Sequence, residues 1–268
     1  MRERALLYKS VDWQKMTEIS GNNNQDGKLL RVVDVHKYFG KVKALIGVDF
    51  AVGENEVVGL IGDNGAGKST LVKIIFGVFK PTKGKIFYKG NEISWSSPKE
   101  AMESGIESIQ QDQSLVEEMA LYRNFFLGRE ITNRLGLLDI KKMEGEALKE
   151  LRNLGLDLRS ADVAVNQLSG GQRQGLAISR ALYFDSDLVI FDEPTNNLSV
   201  AETKKVYQMI DGLKTKGVSA IVISHAMGSV YPVSDRIVLL RRGEKAGEFR
   251  RDETSVEECE RLLMHGKE

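Results

Sequence analysis

The feature that most restricts what this chain can fold into is a short apolar run, EVVGLIG from Glu56 to Gly62, which passes without a break into GDNGAGKS, Gly62 to Ser69. The segment behind it, STLVKIIFG, repeats Leu71, Ile74 and Ile75 on one face of a predicted helix. Strand, glycine-rich turn and helix in this order carry the spacing G-x-x-x-x-G-K-[ST]. Glycines let a backbone wrap closely around phosphate oxygens and aim its N–H groups inward. The helix that follows points its positive end at the same anion. Gly62, Asp63, Asn64, Gly65, Ala66 and Gly67 then form the cradle, and Thr70 opens the helix behind it. Lys68 is placed for the β- and γ-phosphates and Ser69 for Mg²⁺. At average residue frequencies one chance match in such a chain has a probability of about one per cent. By itself the motif implies a nucleoside triphosphate and no particular reaction.

A chain of 268 residues accommodates one α/β unit with an inserted subdomain and buries a sizeable core. Basic and acidic residues number 38 each, for a formal net charge of zero. That balance gives no footprint for nucleic acid or an acidic membrane surface. The single cysteine, Cys259, allows no intrachain disulfide and fits a reducing, cytoplasmic setting. The opening residues have no long apolar run and mix acids with bases, unlike a secretory or transit segment. No stretch approaches the roughly 20 apolar residues that a spanning helix needs. The expectation is a soluble chain that meets a membrane only through a partner.

Residues 1–27 end in the turn-prone SGNNNQDG and read as an extension outside the core, with Met16 as an alternative start. LLRVVDV and VDFAV read as strands joined by a turn near Phe39 and Gly40. From Pro98 to about Val165 helical patterns dominate, and Ile140, Met143, Ala147, Leu148, Leu151 and Leu154 form an apolar stripe at helical spacing. Beyond Leu168, strands and helices alternate again, which implies a mostly parallel sheet covered on both faces.

Two further motifs bear on chemistry. LVIFDE, Leu188 to Glu193, is a buried strand that ends in two acids, at the end of the sheet where ligands bind. Asp192 is placed to hold Mg²⁺, and Glu193 to accept a proton from an attacking water. LSGGQ, Leu168 to Gln172, opens a predicted helix, so Ser169 and the N–H groups of Gly170 and Gly171 make a second anion-binding helix start. One phosphate loop beside two such helix starts points to a site completed by another subunit.

With GDNGAGKST, LSGGQRQGLAISRAL, LVIFDEPT and VISH in this order, the chain resembles the ABC ATPases from Leu29 to about Phe249. The resemblance implies an α/β fold: a P-loop ATPase with a RecA-like core, an antiparallel β-subdomain and an inserted α-helical subdomain. On that pattern the ATPase domain covers 28–268, with the core at 28–111 and 165–268 and the helical part at about 112–164. It also implies two domains facing head to tail around two ATP molecules. Ser169, Gly170, Gly171 and Gln172 would then contact the ATP held by the partner's Lys68. Phe39 matches the aromatic that stacks on adenine, with Tyr38 as its alternative. Gln111 matches the glutamine that senses Mg²⁺ and the attacking water, while Gln110 and Gln113 leave that register open. His225 matches the histidine that contacts the γ-phosphate. In one place the chain departs from the pattern: where the family usually has Asp, as in S-A-L-D, NNLS puts Ser199. Subunit communication is therefore expected to be wired differently.

SPKEAMESGIESIQQDQSLVEEMALYRNFFLGRE and DRIVLLRRGE resemble the bacterial monosaccharide importers of the ribose, xylose and fructose type. That branch implies a separate membrane permease and an extracytoplasmic sugar-binding protein as partners, with the ATPase held peripherally at the cytoplasmic face. The segment from about Asp112 to Arg129 is the expected docking surface, with Tyr122 among its exposed groups. Import of another small solute such as an amino acid, or work on nucleic acid or the ribosome, are the alternative readings. The latter proteins usually show paired domains in one chain, coiled-coil inserts or basic arms, and none is seen here.

Overall fold

The computed structural model describes residues 27–110, 115–196 and 198–265. Nearly all of the expected N-terminal extension lies outside them.

Two long antiparallel strands open the structure, β1 (Lys28–Phe39) and β2 (Val42–Gly53), joined by a turn at Gly40. With β4 (Lys83–Tyr88) and β5 (Asn91–Ile93) they form an antiparallel sheet in the order β2-β1-β4-β5. The second sheet has six strands. Its members are β3 (Val57–Ile61), β6 (Ile106–Ile109), β7 (Leu188–Asp192), β8 (Ser219–Ser224), β9 (Arg236–Arg241) and β10 (Glu244–Arg250), in the order β10-β9-β3-β8-β7-β6. All its pairs are parallel except the β9–β10 hairpin. The strand β6 corrects the helical reading of the stretch after Pro98: four residues, one of them charged, carry too little pattern to announce a strand.

The central strands have no solvent face, so their residues alternate between two cores. In β3, Val57 and Ile61 join one core, while Val58 and Leu60 join the other. In β7, Val189 and Phe191 face one side and Leu188 and Ile190 the other. The first core is covered by α4 (Ile140–Asn153), α5 (Gly170–Tyr183), α6 (Val200–Thr215) and α7 (Met227–Val230). The second is covered by α1 (Lys68–Ile75) and the antiparallel sheet. The helix α2 (Pro98–Glu103) leads into β6, and α8 (Val256–His265) closes the described chain, burying Cys259. The predicted apolar stripe is real: Met143, Ala147 and Leu151 are the buried face of α4, which starts at an Asp139 side-chain cap.

Arg236 fastens the two sheets together. Its guanidinium donates to both carboxylate oxygens of Glu56 at 2.8 Å, to the Ala51 carbonyl at 2.8 Å, and to Glu248. A bidentate pair of this kind fixes angle as well as distance. The antiparallel sheet, which carries Phe39, is thereby held in a set position beside β3 and the loop that follows it.

Between β6 and α5 lies the helical part, with α3 (Leu121–Phe125) and α4 packed against α5. Leu121, Tyr122, Phe125 and Phe126 are all buried, the last two in an aromatic cluster with Tyr183 and Phe184. Tyr122 is therefore an internal side chain and not an exposed docking group, because the apolar ring is worth more to this small core than to the surface. Among the described apolar residues of this segment, Val116 is exposed. The buried Asn124 pins the preceding turn onto α3: it accepts from Val116 N at 2.8 Å and donates to the carbonyls of Val116 and Met119. Among the described residues no helix is long and apolar enough to cross a membrane.

Candidate active site

The C-terminal ends of three adjacent parallel strands build the site. β3 delivers the glycine-rich loop, its neighbour β8 delivers His225, and β7 beyond it delivers Asp192 and Glu193. Residues far apart in sequence meet here because parallel neighbours end on the same edge.

The loop is tight for steric reasons. Gly67 has φ of 108°, and a side chain there would strike Leu45 Cδ2 at 2.7 Å and the Ala44 carbonyl at 2.8 Å. At Gly62 a Cβ would sit 2.2 Å from the Leu240 carbonyl. Strands β2 and β9 thus press on the loop from two sides, and a hydrogen bond from Gly243 N to the Ala66 carbonyl closes it. No side chain caps α1, whose first turn starts at Gly67. Its leading N–H groups therefore have no side-chain partner, as at any uncapped helix start. Asp63, Asn64 and Gly65 form the exposed rim.

Lys68 is buried and folds back over the loop, donating to the Gly62 carbonyl at 2.5 Å and the Asp63 carbonyl at 3.1 Å. Burial pulls its pKa down, and the charges of Glu193, Asp192 and Asp63 oppose that shift. Ser69 and Asp192 line one cleft together with Lys73, Phe76, Ser108 and Gln110. Desolvation and then the neighbouring Glu193 push the Asp192 carboxyl upward, while Lys68 and Lys73 draw it back. Two adjacent acids with incomplete compensation favour a cation at this point. Gln111 lies outside the described residues; its neighbour Gln110 reaches the cleft.

Glu193 sits at φ of 52°, a left-handed conformation that costs a residue with a side chain about 1–2 kcal/mol. Its N–H donates to the Ile223 carbonyl, which ties the turn to β8. Its carboxylate accepts from Ser224 Oγ at 2.9 Å and from the His225 N–H at 3.1 Å, and it lies 2.8 Å from His225 Nδ1. The sequence pointed to Glu193 and His225 separately; their contact with each other, and the part of Ser224, were not legible in it.

Phe39 ends β1 exposed, edge-on to Phe79 at 5.3 Å, with Lys37 Nζ 5.1 Å from its ring centre. Tyr38 instead turns its hydroxyl to His36 Nδ1 at 3.0 Å. Of the two rings, Phe39 is thus the exposed one and Tyr38 the one with a hydrogen-bond partner.

Ser169 caps α5 through a reciprocal box with Gln172. Gly170 and Gly171 are also closely packed within the chain: a Cβ on Gly170 would lie 2.5 Å from Leu198, and one on Gly171 would lie 3.2 Å from Glu202. Among the described residues no hydrogen bond joins the α5 start to the loop around Lys68. Ser199, in place of the usual acid, caps α6 in a box with Glu202.

Comparison with known proteins adds to this geometry. The family model described as ABC transporter matches residues 45–196. The xylose/arabinose import ATP-binding protein of Sulfolobus acidocaldarius is 44% identical over 88% of this chain and 93% of its own length. The ribose import ATP-binding protein of Bacillus subtilis is 38% identical over 88% of this chain, which spans only 48% of that longer protein. Among solved structures, the ADP conformation of an ATP-binding cassette of an ABC transporter superposes with a TM-score of 0.76 at 28% identity, covering 89% of this chain and 95% of that one. A dimeric post-hydrolysis cassette bound to ADP and Pi superposes with a TM-score of 0.70 at 27% identity, covering 83% and 98%.

Proposed function

The chain belongs to the ABC transporter family and is an ATP-binding, ATP-hydrolysing subunit, and we propose that it drives uptake of a monosaccharide through a separate membrane permease. The observation that carries the catalytic part is the meeting of Lys68, Ser69, Asp192, Glu193 and His225 at one edge of three parallel strands. The sugar assignment is supported by the relatives' names, for xylose or arabinose in one case and ribose in the other.

In this reading the loop from Gly62 to Gly67 and the start of α1 bind the phosphates, and Phe39 stacks on adenine. Lys68 gives up its loop carbonyls for the β- and γ-phosphate oxygens, where its charge offsets the charge that develops on the transferring group. Glu193 takes a proton from the attacking water, and the bonds from Ser224 and His225 hold its carboxylate in position. Ser69, Asp192 and Gln111 would hold Mg²⁺. One carboxylate, a hydroxyl and an amide beside substrate phosphates are hard oxygen donors of the kind that ion takes. When bound, Mg²⁺ supplies charge neutralisation at the phosphate oxygens.

A second copy, facing head to tail, would complete the site with its own Ser169, Gly170, Gly171 and Gln172. The dimeric cassette among the similar structures supports that arrangement. The permease would hold the ATPase at the cytoplasmic membrane face, and an extracytoplasmic binding protein would deliver the sugar. The helical part, about 112–164, would be the piece that moves on closure, with Glu117, Glu118 and Val116 on its exposed docking side.

The test is a pull-down of the chain from membranes, followed by reconstituted uptake of xylose, arabinose and ribose. A co-purifying permease and uptake of one pentose, lost in Lys68→Ala, are expected. Full ATPase activity with no permease and no effect on uptake would overturn the import reading.

A further inference from the structure

We propose that Glu202 is a positioning residue: it holds a negative charge on the start of α5 until a partner's nucleotide arrives, and so sets the ATP concentration at which two copies close. The inference rests on the paired arrangement proposed above.

Glu202 belongs to α6 and is the third residue of that helix. One of its oxygens, Oε2, accepts from Ser199 N at 3.1 Å and from Ser199 Oγ at 2.9 Å, while Ser199 Oγ accepts Glu202 N in return. That is a local capping box, and it would be complete without any other contact. The second oxygen, Oε1, goes elsewhere: it accepts from Gly171 N at 3.1 Å, across 31 positions of sequence. The Gly171 N–H is also the first of the causes that hold the Glu202 carboxyl down at about 2, ahead of Ser199 and Ser169. The acid is therefore ionised at any working pH. Leu198 and Glu202 pack directly against this helix start: a Cβ on Gly170 would meet Leu198 Cδ2 at 2.5 Å, and one on Gly171 would meet Glu202 Cγ at 3.2 Å.

The first turn of α5 thus already carries an anion, supplied by its own chain. A γ-phosphate that docks on this helix start brings further negative charge to the same N–H groups. Like charges brought to one helix start repel, and salt screens that repulsion because Glu202 lies near the surface. Closure must then either share the Gly171 N–H or displace the carboxylate. Displacement loosens the box at Ser199, which lies in the loop running back to Asp192 and Glu193. Occupation of the α5 start by the partner's nucleotide is thereby felt at the catalytic acids of this subunit. The arrangement also gives Ser199 a local role at the position where the family pattern usually has Asp. Its hydroxyl donates to Glu202, which a carboxylate cannot do, and a second acid there would crowd the first.

The experiment uses the full chain carrying Glu193→Gln, with ATP and Mg²⁺ titrated and dimer formation followed by light scattering. Glu202→Gln keeps an amide oxygen for the Gly171 N–H but removes the charge. Added to Glu193→Gln, it should lower the half-saturating ATP concentration about fivefold, at the low end of usual couplings. The gap should shrink as sodium chloride is raised, and the melting temperature of the nucleotide-free protein should fall or stay level. An unchanged or raised ATP midpoint overturns the proposal. So does a fall of dimerisation and melting temperature together in Glu202→Gln and Glu202→Ala, since that is the mark of a merely structural cap. Absence of any ATP-driven dimer in Glu193→Gln alone sinks the paired arrangement, and this proposal with it.

Discussion

Glu193 and His225 share one carboxylate oxygen: Oε1 of Glu193 accepts the His225 backbone N–H at 3.1 Å and lies 2.8 Å from Nδ1 of the same residue. Ser224 Oγ holds the other oxygen at 2.9 Å. Three bonds from the end of β8 therefore orient the acid that follows β7. The Glu193 backbone is left-handed, so the side chain is aimed at a cost in conformational energy. Removing the imidazole leaves the backbone and Ser224 bonds but takes away one of the three that orient the carboxylate. His225→Ala should lower kcat about 10²-fold while ATP affinity changes little. Steady-state ATPase rates beside a nucleotide titration check this, and a loss confined to affinity would contradict it.

Phe39 is exposed and Tyr38 is engaged with His36. Phe39→Ala should weaken ATP binding by about 1–3 kcal/mol and leave kcat at saturation nearly unchanged. Tyr38→Phe should bind as the parent does. A nucleotide titration of both variants decides between the two rings; the reverse ranking would assign the stacking to Tyr38.

Glu107 is buried in β6, 3.0 Å from Arg129, whose guanidinium also lies over the Phe184 ring. Burial pushes the Glu107 carboxyl up, against the pull of Arg129 and Arg180. Arg180, on α5, donates in turn to the carbonyls of Asn124 and Leu127. These charges join β6, the α3 region and α5. Arg129→Ala strands a buried acid and should cost about 3 kcal/mol of stability. Adding Glu107→Gln should recover much of that loss, since the uncompensated charge goes with it. Urea unfolding of both single variants and the double variant measures the coupling, and simple additivity would deny it.

Acid stability should report on Glu202. Its folded pKa of about 2 lies below the ordinary 4.5, so the unfolded chain binds the proton more readily. Stability from this group is then present in full above 4.5 and is lost as pH falls toward 2. The difference in urea midpoint between the parent and Glu202→Gln should be constant down to about pH 4.5 and close below it. A gap that ignores pH would mean that the carboxylate is not depressed in the folded chain.

How much of this was legible beforehand depends on how local the cause is. The loop from Gly62 to Ser69 could be read because its backbone leaves no room for side chains at Gly62 and Gly67, so geometry writes itself into residue type. The stripe of α4 was readable because burial repeats with the helical period. The short strand β6 was not, with Glu107 interrupting an already brief run. Tyr122 was placed on the surface because a five-residue helix shows no period long enough to say which side faces inward. The Ser199–Glu202 box is visible as a motif, but the bond from Gly171 to Glu202 exists only once α5 and α6 have packed together.

The most direct test of the central claim is turnover by Glu193→Gln. Gln fills the same space and can still be held by Ser224 and His225, but it accepts no proton from water. The variant should bind ATP with Mg²⁺ as tightly as the parent and retain it uncleaved, with kcat lower by about 10²–10⁴. Single-turnover assays with radiolabelled ATP, run beside equilibrium binding, give both numbers from one preparation. Retained binding with turnover near zero is the predicted result. Hydrolysis within a few-fold of the parent would contradict the account, because the base would then have to be some other residue.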